Sequence, residues 1–139
     1  MRDEESFGIV VTYKKEDAWY FLLVKTAHWG FPKGHADGDE TNLETAQREV
    51  FEETGVRIDE VISDISFTEK YTVSSATGKE YKKIVHYFLS VLSKELKVEA
   101  SNEAQDARWF SYEEAKKTLT YKEAKSLLET IHEWLLKNI

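Results

Sequence analysis

The chain has 139 residues, 41% of them hydrophobic and 32% charged, and a formal net charge of −7 from 26 acidic and 19 basic side chains. That profile fits one globular domain over residues 1–139 with a real core, and the acidic balance argues against a general DNA- or RNA-coating protein. Cysteine is absent, no apolar run approaches a membrane span, and "MRDEESF" is too acidic to open a signal peptide; disulfides, thiolate metal sites and a cysteine nucleophile are excluded, and a cytoplasmic setting is expected.

In chain order, "SFGIVVTYKKEDAWYFLLVKT" predicts two strands, about 6–14 and 18–26, joined across "KKED". "HWGFPKGHADGDE" reads as a loop, since it holds Pro32, Gly30, Gly34 and Gly38. A helix is predicted from Thr41 to Thr54, with Leu43, Ala46 and Val50 on its core-facing stripe. Thr41 with Glu44 makes a capping box, and Gly55 stands where a helix end favours a left-handed residue. Strands are expected at about 58–72 and 81–92, on either side of the hairpin-type segment "SSATGKE". "ARWF" predicts a short strand, followed by helices at about 111–118 and 121–137. The order gives an α+β fold, a mixed-sheet α/β/α sandwich with the middle helix inside the domain.

That helix ends in "REVFEETG", which places Glu49, Glu52 and Glu53 on one face. Like charges at this spacing cost roughly 0.2–0.5 kcal/mol per pair, so either the face is simply solvated or the charges have work to do. The wider pattern decides for work. Gly34, Glu40, Arg48-Glu49-Val50, Glu52-Glu53 and Gly55-Val56 fill every fixed position of G-x5-E-x7-R-E-U-x-E-E-x-G-U, where U is aliphatic. The chain resembles the Nudix hydrolases, whose loop–helix–loop carries that signature and holds divalent metal against a diphosphate. The resemblance implies Mg²⁺, with Mn²⁺ as an alternative, at Glu49, Glu52 and Glu53, with Gly34 and Glu103 in the implied metal set. Mg²⁺ suits such a site because it is a hard ion shared between carboxylates and substrate phosphates. Arg48 is implied to orient a glutamate, and Glu40 to assist either the metal or the loop. The implied reaction is attack of water on phosphorus, with a glutamate as general base.

"WGFPKGH" ahead of the motif, Glu103-x-Gln105 before Arg108-Trp109, and His132-x-Trp134 in the last helix are similar to the asymmetrical diadenosine tetraphosphate hydrolases. Position by position, this likeness implies polyphosphate contacts at Lys33, His35 and Lys83, with Lys82 as a rival to Lys83. It implies a further metal ligand or base at Glu103, and an aromatic clamp on adenine from Tyr71 and Trp134, with Tyr81 as a rival to Tyr71. His132 fits the family's last helix and is read as structural. Two departures border the implied cleft: "HADGDE" lacks the Pro-Gly pair of many relatives, and "TVSSATGKEYK" is longer than in the animal enzymes. The expected partner is a small nucleotide, with no DNA and no membrane, and the expected assembly is a monomer or small homo-oligomer. Rival readings are an RNA 5′-triphosphate pyrophosphohydrolase, a nucleotide-pool sanitising pyrophosphatase, and a non-catalytic nucleotide-sensing domain. The intact glutamate set argues against the last.

Overall fold

Alternating apolar residues start the fold. In β1 (Glu4–Lys15) every residue from Ser6 to Tyr13 is buried, because the strand is covered on both faces. Ile9 and Val11 pack with Val50 of α1 (Asn42–Thr54), whereas Val10 packs with Leu127, Leu128 and Ile131 of α3 (Lys122–Asn138). The two helices therefore lie on opposite sides of the sheet. The computed structural model describes residues 4–63 and 65–139, and no helix among them is long and apolar enough to cross a membrane.

The remaining elements are β2 (Ala18–Lys25), β3 (Trp29–Gly30), β4 (Lys33–Gly34), β5 (Phe67–Ser74), β6 (Glu80–Leu92), β7 (Asp106–Ser111) and α2 (Tyr112–Thr118). They form one mixed sheet in the order β3-β2-β1-β6-β5, with β4 paired to β1 and β7 to β2. The β1–β6 pair is parallel, and the crossover between them carries α1. Glu16 and Asp17 both have positive φ, 51° and 67°, which closes the β1–β2 hairpin in two residues. The result is the expected α/β/α sandwich.

Two expectations at the level of elements need correction. The strand expected at 58–72 begins only at Phe67 and runs to Ser74. Val56 and Ile58 are buried as their alternation suggests, but they pack beneath α1 instead of joining a ladder. Ile62 N–H donates to the Leu89 carbonyl, and the Ser90 hydroxyl to the Glu60 carbonyl, so this segment is tied to β6 by isolated bonds. The Gly-rich loop, in turn, contains β3 and β4, each two residues long. Phe7↔Gly34 and Gly8↔Lys33 pairing clips the loop to β1 and fixes its height against α1.

Candidate active site

The glutamate-rich helix is held at both ends by its own sequence. The Thr41 hydroxyl accepts from Glu44 N–H and the Glu44 carboxylate accepts from Thr41 N–H, the reciprocal capping box. Gly55, at φ 76°, ends the helix in the left-handed region. Its last carbonyls do not stay free: Glu53 O accepts from Ser101 N–H and Thr54 O from Glu99 N–H. Those two bonds bring the loop carrying Asn102 and Glu103 to the C-terminal end of α1.

Arg48 organises the carboxylates. Its Nε donates to Glu40 Oε2 at 2.7 Å, and its Nη1 to Glu52 at 2.6 Å and Glu49 at 3.0 Å. Its Nη2 donates to the His35 carbonyl at 2.9 Å, so one guanidinium joins loop and helix. Glu40 also accepts from Asp37 N–H and the Thr45 hydroxyl. Its hydrogen bond to Arg48, with these others, holds its carboxyl down at about 2. Its oxygens are thus committed to the loop and to Arg48.

Glu53 is in the opposite state. It is buried, it shares a hydrogen bond with Glu49, and these two effects push its carboxyl up to about 9 against the opposing pull of Lys33. Two carboxylates one helical turn apart thus favour a shared proton. Gly34 backs directly onto Glu49, and a Cβ at that position would collide with the Glu49 carboxyl group. Among the described residues no three carboxylate or imidazole groups already converge on one point, because Arg48 draws Glu52 aside while Glu49 turns to Glu53. The donor set nevertheless fits a divalent ion: hard oxygens, a shared proton that a cation would displace, and a glycine that leaves the space open.

These groups line a cleft of about 610 Å³. Glu49, Glu53 and Glu103 border it together with Lys33, Lys83 and Tyr71, and it is also bordered by Glu69 and Tyr121. Burial and the nearby Lys83 charge both lower the Lys33 pKa. The Tyr71 ring lies nearly parallel to that of Tyr121, 21° between planes and 5.9 Å between centroids. The Tyr121 hydroxyl is in turn hydrogen-bonded to His28 Nε2 at 2.8 Å.

Residues 3–131 match the NUDIX domain. The chain belongs to the Nudix family. Among its relatives, the asymmetrical bis(5'-nucleosyl)-tetraphosphatase of Rattus norvegicus is 32% identical over 119 residues, 83% of this chain and 80% of the rat protein. The enzyme of that name from Caenorhabditis elegans is 33% identical over 134 residues, 92% of this chain and 94% of its own. The crystal structure of a C. elegans Ap4A hydrolase binary complex superposes with a TM-score of 0.83 at 31% identity, covering 96% of this chain and 98% of that one. The mixed sheet with three helices is the Nudix fold, and the protein is a Nudix hydrolase.

Within this Nudix hydrolase the residues singled out from sequence divide into two groups. Glu49, Glu53, Glu103, Gly34, Arg48, Lys33, His35, Lys83, Tyr71 and Tyr81 all border the cleft. Lys83 lines it, whereas Lys82 is exposed and is not part of the lining. Both His35 ring nitrogens are already engaged, Nδ1 with the Glu5 carbonyl at 3.0 Å and Nε2 with Glu4 at 2.9 Å. Glu52 lies outside the lining, held by Arg48 and by a 3.4 Å hydrogen bond from Asn102.

Trp134 is the clear correction. It packs half-buried against the α3-side core and does not line the cleft. Only the N-terminal end of α3 borders the cleft, at Ala124 and the preceding Tyr121. Ten residues further along a helix is roughly 15 Å, which carries Trp134 out of reach. His132 stacks on Tyr112 at 3.7 Å, and burial lowers its pKa, as suits a packing residue. Sequence reasoning missed Tyr121 and Glu69. Tyr121 precedes α3 at its N-cap, off the amphipathic stripe that drew the eye to the helix. Glu69 did carry a signal, two residues before Tyr71 on the same strand face.

Proposed function

We propose that this Nudix hydrolase cleaves diadenosine tetraphosphate asymmetrically, to ATP and AMP, with Mg²⁺ as its working ion and Mn²⁺ as an alternative. The observation that carries the reading is the grouping of three chemistries in one cleft. These are the hydrogen-bonded pair Glu49–Glu53, the cations Lys33 and Lys83, and the near-parallel rings of Tyr71 and Tyr121. An acidic, metal-hungry end, a cationic stretch and an aromatic platform match, in kind, a polyphosphate capped by a base. The relatives named for this activity cover 83% and 92% of this chain, which adds support.

Glu49 and Glu53 would hold the ion, with Glu103 and, after release from Arg48, Glu52 completing its shell. When bound, the ion supplies polarisation of the phosphoryl oxygens and neutralises charge that develops on the leaving phosphate. The chain's own groups do the rest. Arg48 stays charged and, through Glu49 and Glu40, ties the face of α1 to the loop. Lys33 and Lys83 bind the phosphate chain as point charges. Glu103 is exposed at the cleft and can take the proton of the attacking water. Tyr71 and Tyr121 hold one base, which sets the register of the phosphates relative to Glu49 and Glu53.

The test is chromatography of the products from diadenosine tetraphosphate in Mg²⁺ and ¹⁸O-labelled water. ATP and AMP, with label in only one of them, is the expected result. Two molecules of ADP, or no turnover while a triphosphorylated RNA or an oxidised nucleotide is consumed, would replace this substrate with another.

A further inference from the structure

One carboxyl in the cleft has no role in the scheme above. Glu69 is 7% exposed, and its Oε2 is sealed from solvent without a hydrogen-bond partner among the described residues. An acid in that state is costly as an anion, and such groups persist where a ligand completes them. Its position indicates which ligand. Glu69 and Tyr71 both line the cleft and leave the same face of β5, with Cα atoms about 6.6 Å apart at strand spacing. Tyr71 faces Tyr121 in the ring pair assigned above to a base. A purine stacked on Tyr71 would lie one strand step from Glu69, where a polar edge turned inward would complete the acid.

We propose that Glu69 reads the hydrogen-bonding edge of a purine stacked on Tyr71 and so decides between adenine and guanine. The proposal rests on the nucleotide reading of the cleft and adds to it a specificity residue outside the glutamate-rich helix.

The groups that face Glu69 determine how it reads. Lys33 of β4 and Lys83 of β6 favour its anion, Glu123 of α3 opposes it, and the Tyr71 and Tyr87 hydroxyls feel its charge. Burial outweighs the lysines and pushes the carboxyl up to about 7. A neutral carboxyl donates its O–H to adenine N1, which offers only a lone pair, and it can also pair with guanine through O6. An anionic carboxyl only accepts, and its partners are the guanine N1–H and amino group. The protonated acid accepts either purine, and guanine is favoured once the proton is lost.

The experiment is calorimetric binding of AMP and GMP, with Mg²⁺, at pH 6 and pH 8, to the full-length protein and to Glu69→Gln. The ribose and phosphate are common to both ligands, so the ratio of their Kd values isolates the base. The preference for AMP over GMP should fall by about tenfold from pH 6 to pH 8 in the unmodified protein. Glu69→Gln keeps a donor and an acceptor that do not titrate, so its ratio should be the same at both pH values. A pH-independent ratio in the unmodified protein, an equal change in Glu69→Gln, or no binding of either nucleotide overturns the proposal. If Glu69→Gln does not fold, the ratio in the unmodified protein decides alone. Failure to form ATP and AMP overturns the proposed substrate and leaves this ratio untouched, so the two failures are distinguishable.

Discussion

Glu49 and Glu53, one helical turn apart on α1, share a hydrogen bond beside the cleft that, with burial, favours a proton on Glu53. The helix accepts three close carboxylates because Arg48 bridges two of them and burial favours the neutral form of Glu53. On the proposed reading, a dication would take the place of that proton.

Glu53→Gln should therefore keep its fold and lose function. The amide preserves the hydrogen bond to Glu49 but removes a carboxylate ligand, and kcat should fall by about a hundredfold or more. Glu52→Gln should fall by a similar factor. Steady-state kinetics in Mg²⁺, with melting in EDTA as the folding control, gives the answer; full activity in either variant would remove it from the metal set.

Gly34→Ala tests the space rather than the charge. Its Cβ would run into the flexible end of Glu49 and not into backbone, so the fold should tolerate it. The displaced Glu49 carboxylate should weaken Mg²⁺ binding by about tenfold or more, on the scale of disturbed metal-site geometry. Metal titration followed by calorimetry, beside an unchanged melting temperature, is the expected pair of results.

Tyr121→Ala and Trp134→Ala should separate cleanly. Tyr121 is 41% exposed and borders the cleft, so its loss should raise KM and cost about 1–3 kcal/mol in kcat/KM with little change in melting temperature. Trp134 packs on the core, so its loss should lower the melting temperature and leave KM unchanged. The opposite pattern would return Trp134 to the base clamp.

Glu69 predicts a pH dependence of stability. Its folded pKa of about 7 lies above the ordinary 4.5, so between those values the folded state holds more protons than the unfolded one. The stabilisation is complete below about pH 4.5 and is lost as pH rises through 7, by about 3 kcal/mol at most. Urea melts in EDTA at pH 5, 7 and 8.5 should show the unfolding free energy falling, and Glu69→Gln should flatten that part of the slope. Equal slopes in the two proteins would mean that Glu69 stays ionised.

The sequence alone determined what depends on neighbours along the chain. The capping box at Thr41, the left-handed Gly55 and the shared face of Glu49, Glu52 and Glu53 are local geometry, written in spacings of three and four residues. The alternation of β1 and the apolar stripe of α3 marked both faces of the core for the same reason. What tertiary structure decided was which side chains meet across elements. Arg48 reaches back over the Gly-rich loop to Glu40 and the His35 carbonyl. The α1 carbonyls capture the loop of Glu103. Val56 and Ile58 keep a strand's alternation yet spend it on packing beneath α1. Trp134 and Tyr121 flank one helix, and only the direction in which α3 crosses the sheet puts Tyr121 at the cleft and Trp134 about four turns away. The burial of Glu69 and Glu53, and with it the upward push on their carboxyls, arises only once strands and helices far apart in sequence close over them.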